Sequence, residues 1–148
     1  MFFYLVRHGE AMSSADNPAR PLSQAGRAGV EKIAQLARQR DVKVSVIYHS
    51  GILRAEETAA ILAAHLTPPL GVERRTGLLP DDDPALAKAD LEEAQDSFML
   101  VGHLPHLNRL AALLVASDPN RQVVEFSPAT MACCAKEGRR WNIAWKLP

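Results

Sequence analysis

Cysteine is almost missing from this chain, and the two residues present, Cys133 and Cys134, are neighbours. They fall in a strand-like stretch, Thr130 to Ala135, where consecutive side chains point to opposite faces, so they favour neither a disulfide framework nor a metal clamp. Two small buried hydrophobes are expected there. Long apolar runs are missing too, since none approaches the roughly 20 residues of a membrane span. The first run, Phe2 to Val6, has no basic region before it and is cut by Arg7-His8, which points away from a signal peptide and toward a cytoplasmic protein. Excess charge is lacking: 17 Lys and Arg cancel 17 Asp and Glu. No global field therefore recruits nucleic acid or an anionic membrane, and any anion must be held locally. Neither His-Glu-x-x-His nor a paired Cys/His spacing occurs, which disfavours a metal hydrolase.

What is present is a chain of 148 residues, 47% of them hydrophobic, without internal repeats or low-complexity linkers. That length suits one core, so residues 1–148 are expected to form a single domain. Short apolar runs alternate with helical patterns. After Phe2 to Val6, the spacing of Val30, Ile33, Ala34 and Ala37 predicts a helix over 23–40, with Ser23 as N-cap. The run Val44 to Tyr48 leads to Ser50, read as the next N-cap, and to an apolar stripe through Ile52, Ala55, Ala59, Leu62 and Leu66 that stops at Pro68-Pro69. A short extended piece at Val72 to Arg74 precedes the acidic turn Asp81-Asp82-Asp83 and a polar, surface-type helix over 85–94. Phe98 to Val101 reads as a buried strand, broken by Gly102-His103-Leu104-Pro105, with helical period resuming at Leu107, Leu110, Ala111 and Leu114. Thr130 to Ala135 and Trp141 to Lys146 flank Glu137-Gly138 as a hairpin. The alternation indicates an α/β fold: three layers, a mostly parallel central sheet with helices on both faces, and ligands beyond the carboxyl ends of the strands.

That edge is where the chemistry-bearing residues fall. Arg7-His8-Gly9 closes the first run, Arg54 opens the helix after the second, and His103 closes the strand at 98–101. Two arginine forks suit the equatorial oxygens of a transferring phosphoryl group, and a neutral imidazole can attack phosphorus. The arginines should disfavour imidazolium at His8, which makes it the preferred nucleophile, with His103, protonated when the phosphate dianion is present, donating a hydrogen bond to a transferring oxygen. An alkoxide leaving group also needs a proton, for which Asp81, Asp82, Asp83 and Glu10 are the candidates; the alternative for Asp83 is a helix cap after which Pro84 follows. His106 is read as a supporting or exposed residue, and His49 and His65 as structural or solvent-facing.

These pieces, Leu5-Val6-Arg7-His8-Gly9-Glu10-Ala11, Arg20-Pro21-Leu22-Ser23-Gln24-Ala25-Gly26, Ser50 with Leu53-Arg54-Ala55-Glu56-Glu57-Thr58, and Gly102-His103-Leu104-Pro105, resemble in order and spacing the histidine phosphatase superfamily, and within it the small phosphohistidine phosphatase branch of the SixA type. The resemblance implies a phosphoglycerate mutase-like fold and a covalent phosphohistidine on His8. It also implies a pocket completed by Arg7, Arg54 and His103, a secondary phosphate or substrate contact at Arg20, and no metal or other cofactor. Two departures stand out: Gly51 where many relatives have proline, and Glu57 where glutamine is usual. The short segment from Thr58 to His103 leaves little room for a cap, so the expected substrate is protein-borne phosphohistidine. Phosphoserine, phosphothreonine or a small phosphoester is the alternative within the family, and a non-catalytic phospholigand-binding module is the alternative outside it.

Overall fold

A computed structural model describes residues 1–148. The elements run β1 (Phe2–Arg7), α1 (Gln24–Gln39), β2 (Val46–His49), α2 (Leu53–Leu66), β3 (Val72–Arg74), α3 (Pro84–Glu93), β4 (Phe98–Gly102), α4 (His106–Ala116), β5 (Met131–Glu137) and β6 (Arg140–Leu147). One six-stranded sheet takes the order β3-β2-β4-β1-β5-β6. Its first four strands are parallel, while β5 runs antiparallel to both β1 and β6.

Side-chain alternation along the strands builds two cores. Tyr4, Val6, Ile47, Met99, Val101 and Cys133 face α1 and α2, whereas Phe3, Leu5, Val46, Leu100 and Cys134 face α3 and α4. The period of two is what sends adjacent residues to opposite layers. Cys133 and Cys134 are accordingly free, buried and on opposite faces.

Local signals fix the helix ends. Ser23 caps α1 by accepting from the Gly26 N–H at 2.9 Å, and Asp83 caps α3 by accepting from the Ala85 N–H at 3.0 Å, with Pro84 in the first turn. Thr67 leaves α2 in the left-handed region ahead of Pro68-Pro69. The expected cap at Ser50 is displaced: α2 starts at Leu53 with Ile52 as N-cap and no side-chain cap. The expected surface helix, α3, buries Ala87 and Leu91 in the core it shares with α4, while its polar residues and Leu86 stay open to solvent.

Helix placement decides where a ligand fits. The chain leaves β1 toward α1 on one face, and it leaves the adjacent β4 toward α4 on the other. Diverging connections from neighbouring parallel strands open a crevice at their carboxyl ends. Arg7 pairs with Gly102 in register, and the His8 N–H donates to the Gly102 carbonyl at 3.1 Å, so His8 and His103 emerge side by side into that crevice.

Candidate active site

The His8 and His103 rings lie with centroids 5.1 Å apart. His8 Nδ1 is 2.7 Å from its neighbour's carbonyl oxygen on Gly9. A carbonyl only accepts, so Nδ1 carries the proton and Nε2 keeps the free lone pair. His103 is tied through the other nitrogen: its Nε2 lies 2.6 Å from Ser50 Oγ. That hydroxyl oxygen already accepts from the Ile52 N–H at 3.2 Å. The hydroxyl proton has no other acceptor, so it is assigned to His103 Nε2, which puts the proton of neutral His103 on Nδ1.

Both rings are held neutral. Burial is the main cause of lowering His8 to about 4, opposed by the Gly9 hydrogen bond and reinforced by Arg54, Arg7 and Arg20. Burial also leads in lowering His103 to about 3, followed by His8, Arg54, His106 and Arg7. Burial lowers the guanidinium pKa values of Arg7 and Arg54 from their ordinary value, with Arg20 adding to the effect on Arg54; arginine nevertheless stays charged at working pH.

Arg7 is anchored at one edge, and both arginines are unpaired at Nε. Arg7 Nη1 donates to the Phe126 carbonyl at 3.0 Å, whereas Arg7 Nε, Arg54 Nε and His103 Nδ1 are buried without a hydrogen-bond partner. Thr58 links the loop after β1 to α2: its Oγ1 accepts from the Gly9 N–H at 3.1 Å and donates to the Arg54 carbonyl at 2.8 Å. Glycine permits the close seating of this loop, since a Cβ on Gly26 would stand 1.9 Å from the Glu10 carbonyl oxygen.

The remaining candidates separate by position. Arg20 Nε donates to the Met12 carbonyl at 3.0 Å, and its charge is felt by both His8 and Arg54. Asp83 is the α3 cap. Asp81 and Glu10 are exposed. Asp82 is half-buried, accepts from the Leu79 N–H at 2.9 Å, and shares a cavity wall with Ser50. Glu57 is occupied elsewhere, accepting from the Leu22 N–H and pairing with Arg27. Gly51 has φ +93, a conformation closed to proline.

The other histidines separate by burial. Of the two expectations for His106, supporting or exposed, burial overturns the second: it is fully buried at the start of α4, and neither ring nitrogen has a partner. His49 is buried and accepts from the Gly51 N–H at 3.0 Å, while His65 pairs with Glu31. Ser50, Thr58 and the Phe126 carbonyl are the participants that strand and helix patterns do not reveal. Ser50 and Thr58 carried a signal as part of a motif, but a main-chain oxygen 119 residues from Arg7 carries none.

Comparisons with known proteins agree with this architecture. The family model described as "Histidine phosphatase superfamily (branch 1)" matches residues 3–78. Phosphohistidine phosphatase SixA of Escherichia coli (strain K12) is 29% identical over 123 residues, covering 80% of this chain and 76% of its own. A solved structure of the protein histidine phosphatase SixA complexed with tungstate superposes with a TM-score of 0.86 at 26% identity, covering 99% of this chain and 96% of the other. The α-ribazole phosphatase of Shigella flexneri shares the fold, with a TM-score of 0.77 at 17% identity over 97% of this chain and 94% of its own.

Proposed function

Because the chain belongs to the histidine phosphatase superfamily, we propose that it acts as a phosphohistidine phosphatase within one domain over 1–148, forming a covalent intermediate on His8. One observation carries this reading: Arg7 Nε, Arg54 Nε and His103 Nδ1 are buried and unpaired, on the two arginines whose charges His8 feels and on the ring beside it. Leaving such donors unpaired costs free energy. A phosphoryl group offers acceptor oxygens to all of them at once, and it rewards the two guanidinium charges as well. The tungstate bound in the related SixA structure is a tetrahedral oxyanion of that kind.

The step begins with His8 Nε2 donating its lone pair to phosphorus while the bond to the leaving nitrogen or oxygen breaks. The Gly9 carbonyl fixes the ring and supports the positive charge that develops on it. Arg7 and Arg54 neutralise the equatorial oxygens, and His103 donates through Nδ1 without needing to be charged. Water then attacks the same phosphorus from the opposite side, the N–P bond to His8 breaks, and inorganic phosphate leaves. No metal enters this scheme.

Protein-borne phosphohistidine is favoured by access. The segment that relatives with enclosed sites would use for a cap is spent here on β3 and on α3, whose Ala87 and Leu91 pack against the sheet. A phosphoramidate nitrogen also leaves readily once protonated. Ester substrates need a proton from a carboxyl group, and Asp82 is the candidate on the right wall. The test is hydrolysis of a phosphohistidine protein, a phosphoserine peptide and p-nitrophenyl phosphate under identical conditions, with EDTA as control. Preference for the phosphoramidate, insensitive to EDTA, is expected. Preference for the phosphoserine peptide would overturn the substrate assignment, loss of activity to chelation would overturn the metal-free mechanism, and no turnover at all would leave a binding module.

A further inference from the structure

A cavity of about 240 Å³ adjoins the phosphate centre, with Ser50 as the shared wall. Its other walls include Arg74, Arg75 and Asp82, together with the aliphatic side chains Leu79 and Leu86. Both leucines are exposed, at 43% and 59%, which leaves apolar surface available to a substrate.

The charges in this cavity are unequal in freedom. Arg75 is neutralised by Asp90, with Nε 2.9 Å from Oδ2, and its guanidinium lies over the Tyr48 ring. Asp82 is engaged by the Leu79 N–H. Arg74 makes no ion pair and no side-chain hydrogen bond, so it is the one unmatched cation on these walls. Its seat is specific: a Cβ on Gly51 would meet Arg74 Nε at 2.6 Å, Cδ at 2.9 Å and Cζ at 3.2 Å. The guanidinium therefore rests on the bare backbone of Gly51, one residue from the serine that holds His103. The parallel pairing of His49 with Arg74 fixes the approach of β3 to this edge.

We propose that the cavity is the leaving-group subsite and that Arg74 selects substrates carrying a carboxylate beside the phosphorylated atom. This rests on the phosphatase reading of the adjoining centre. The phosphoryl dianion is served by Arg7 and Arg54, so what remains for Arg74 is a second anion on the same molecule. A single guanidinium fork matches a carboxylate bidentately. Asp82 across the cavity disfavours a larger or more highly charged anion, and Leu79 and Leu86 accommodate the carbon chain that bears the acid. Two sources supply this chemistry: a glutamate next to the phosphohistidine of a protein, or a small phosphorylated acid.

The test compares kcat/KM of the wild type, Arg74→Gln and Arg74→Glu on matched phosphohistidine peptides with Glu, Gln or Lys beside the modified residue, and on phosphoglycolate against ethyl phosphate. The wild type should favour Glu over Gln by about five- to tenfold, the effect of one partly exposed charge-assisted hydrogen bond. That ratio should vanish in Arg74→Gln and turn toward Lys in Arg74→Glu. If the ratio of phosphoglycolate to ethyl phosphate moves instead, the carboxylate is that of a small molecule. Unchanged ratios in all three proteins would overturn the subsite while leaving the phosphatase reading intact. N-phosphoimidazole, which has no carboxylate, reports on that reading separately: a wild type inert toward it and toward every peptide and ester fails as a phosphatase.

Discussion

The ends of β1 and β4 are built alike and finish differently. Each is a buried parallel strand closed by a histidine, the two strands are paired in register, and the rings stand together in one crevice. Yet His8 is held by its own main chain through Nδ1, while His103 is held by a side chain from a third strand end through Nε2. The difference teaches that a ring's role follows from which nitrogen is already spent. His8 is left with a lone pair, which is what a nucleophile needs. His103 is left with an N–H, which is what an oxygen acceptor needs.

Replacing the two rings should therefore have unequal consequences. On the proposed mechanism His8→Ala removes the attacking atom, and turnover of a phosphohistidine protein should fall on the order of 10⁴-fold or more, as for other nucleophiles. His103→Ala should retain a slow reaction that still passes through His8. Equal residual rates in single-turnover assays would erase the distinction. If Arg54 clamps the transferring oxygens as proposed, Arg54→Ala should lower kcat about 10²- to 10³-fold. An unchanged kcat/KM would exclude it from the site.

Asp82 shares a cavity wall with Ser50, the residue that holds His103, and Asp82→Asn sharpens the asymmetry by substrate. Ester hydrolysis should slow about 10- to 100-fold, the scale of a lost general acid, while phosphohistidine turnover should change little. Equal slowing of both would remove Asp82 from proton donation. Ser50→Ala frees His103 Nε2 while leaving the His8 tie intact. A reduction of about tenfold in kcat, with the acid limb of the pH profile displaced, is expected from a positioning residue; a change in KM alone would mean that Ser50 acts on binding.

The smallest effect concerns stability, and here the two rings act in the same direction. Their folded pKa values, about 4 and about 3, lie below the ordinary 6.5. Between these limits the unfolded chain binds more protons than the folded one, so stability is full above the unfolded value and falls as pH drops through that window. Urea midpoints at about pH 7.5 and about pH 5 should differ in the wild type and differ less in a His8→Ala variant. Midpoints independent of pH in this range would mean that neither ring is held neutral.

Much of this arrangement was legible before any coordinates, because it depends on punctuation. Strand runs that stop at Arg7-His8 and Gly102-His103, and caps at Ser23 and Asp83, are local signals, and parallel topology carries the rest to one edge. Arg54 and the two histidines could be brought together on that basis. What stayed hidden depends on contacts between distant segments. Ser50 read as a cap because serine commonly is one, whereas the positive φ of Gly51 and the extended Ile52 delay the helix to Leu53 and leave Ser50 bonded to His103. His106 read as either a supporting or an exposed residue, and only the packing of α4, which buries it, decides between the two. Asp83 could be read as a helix cap from the proline that follows it, but nothing local separates Asp81 from Asp82, and only the fold of their turn leaves one exposed and puts the other on a cavity wall. The seating of Arg74 on Gly51 needs β3 beside β2, which no local pattern encodes.

The central assignment is that the nucleophile is His8 and the attacking atom its Nε2. The most direct measurement is rapid quenching after brief exposure to a phosphohistidine protein, followed by peptide mapping and NMR of the base-stable, acid-labile phosphoenzyme. Phosphorus on Nε2 of His8, present in the wild type and absent from His8→Ala, is the expected result. Phosphorus on His103, or on Nδ1 of His8, would contradict it.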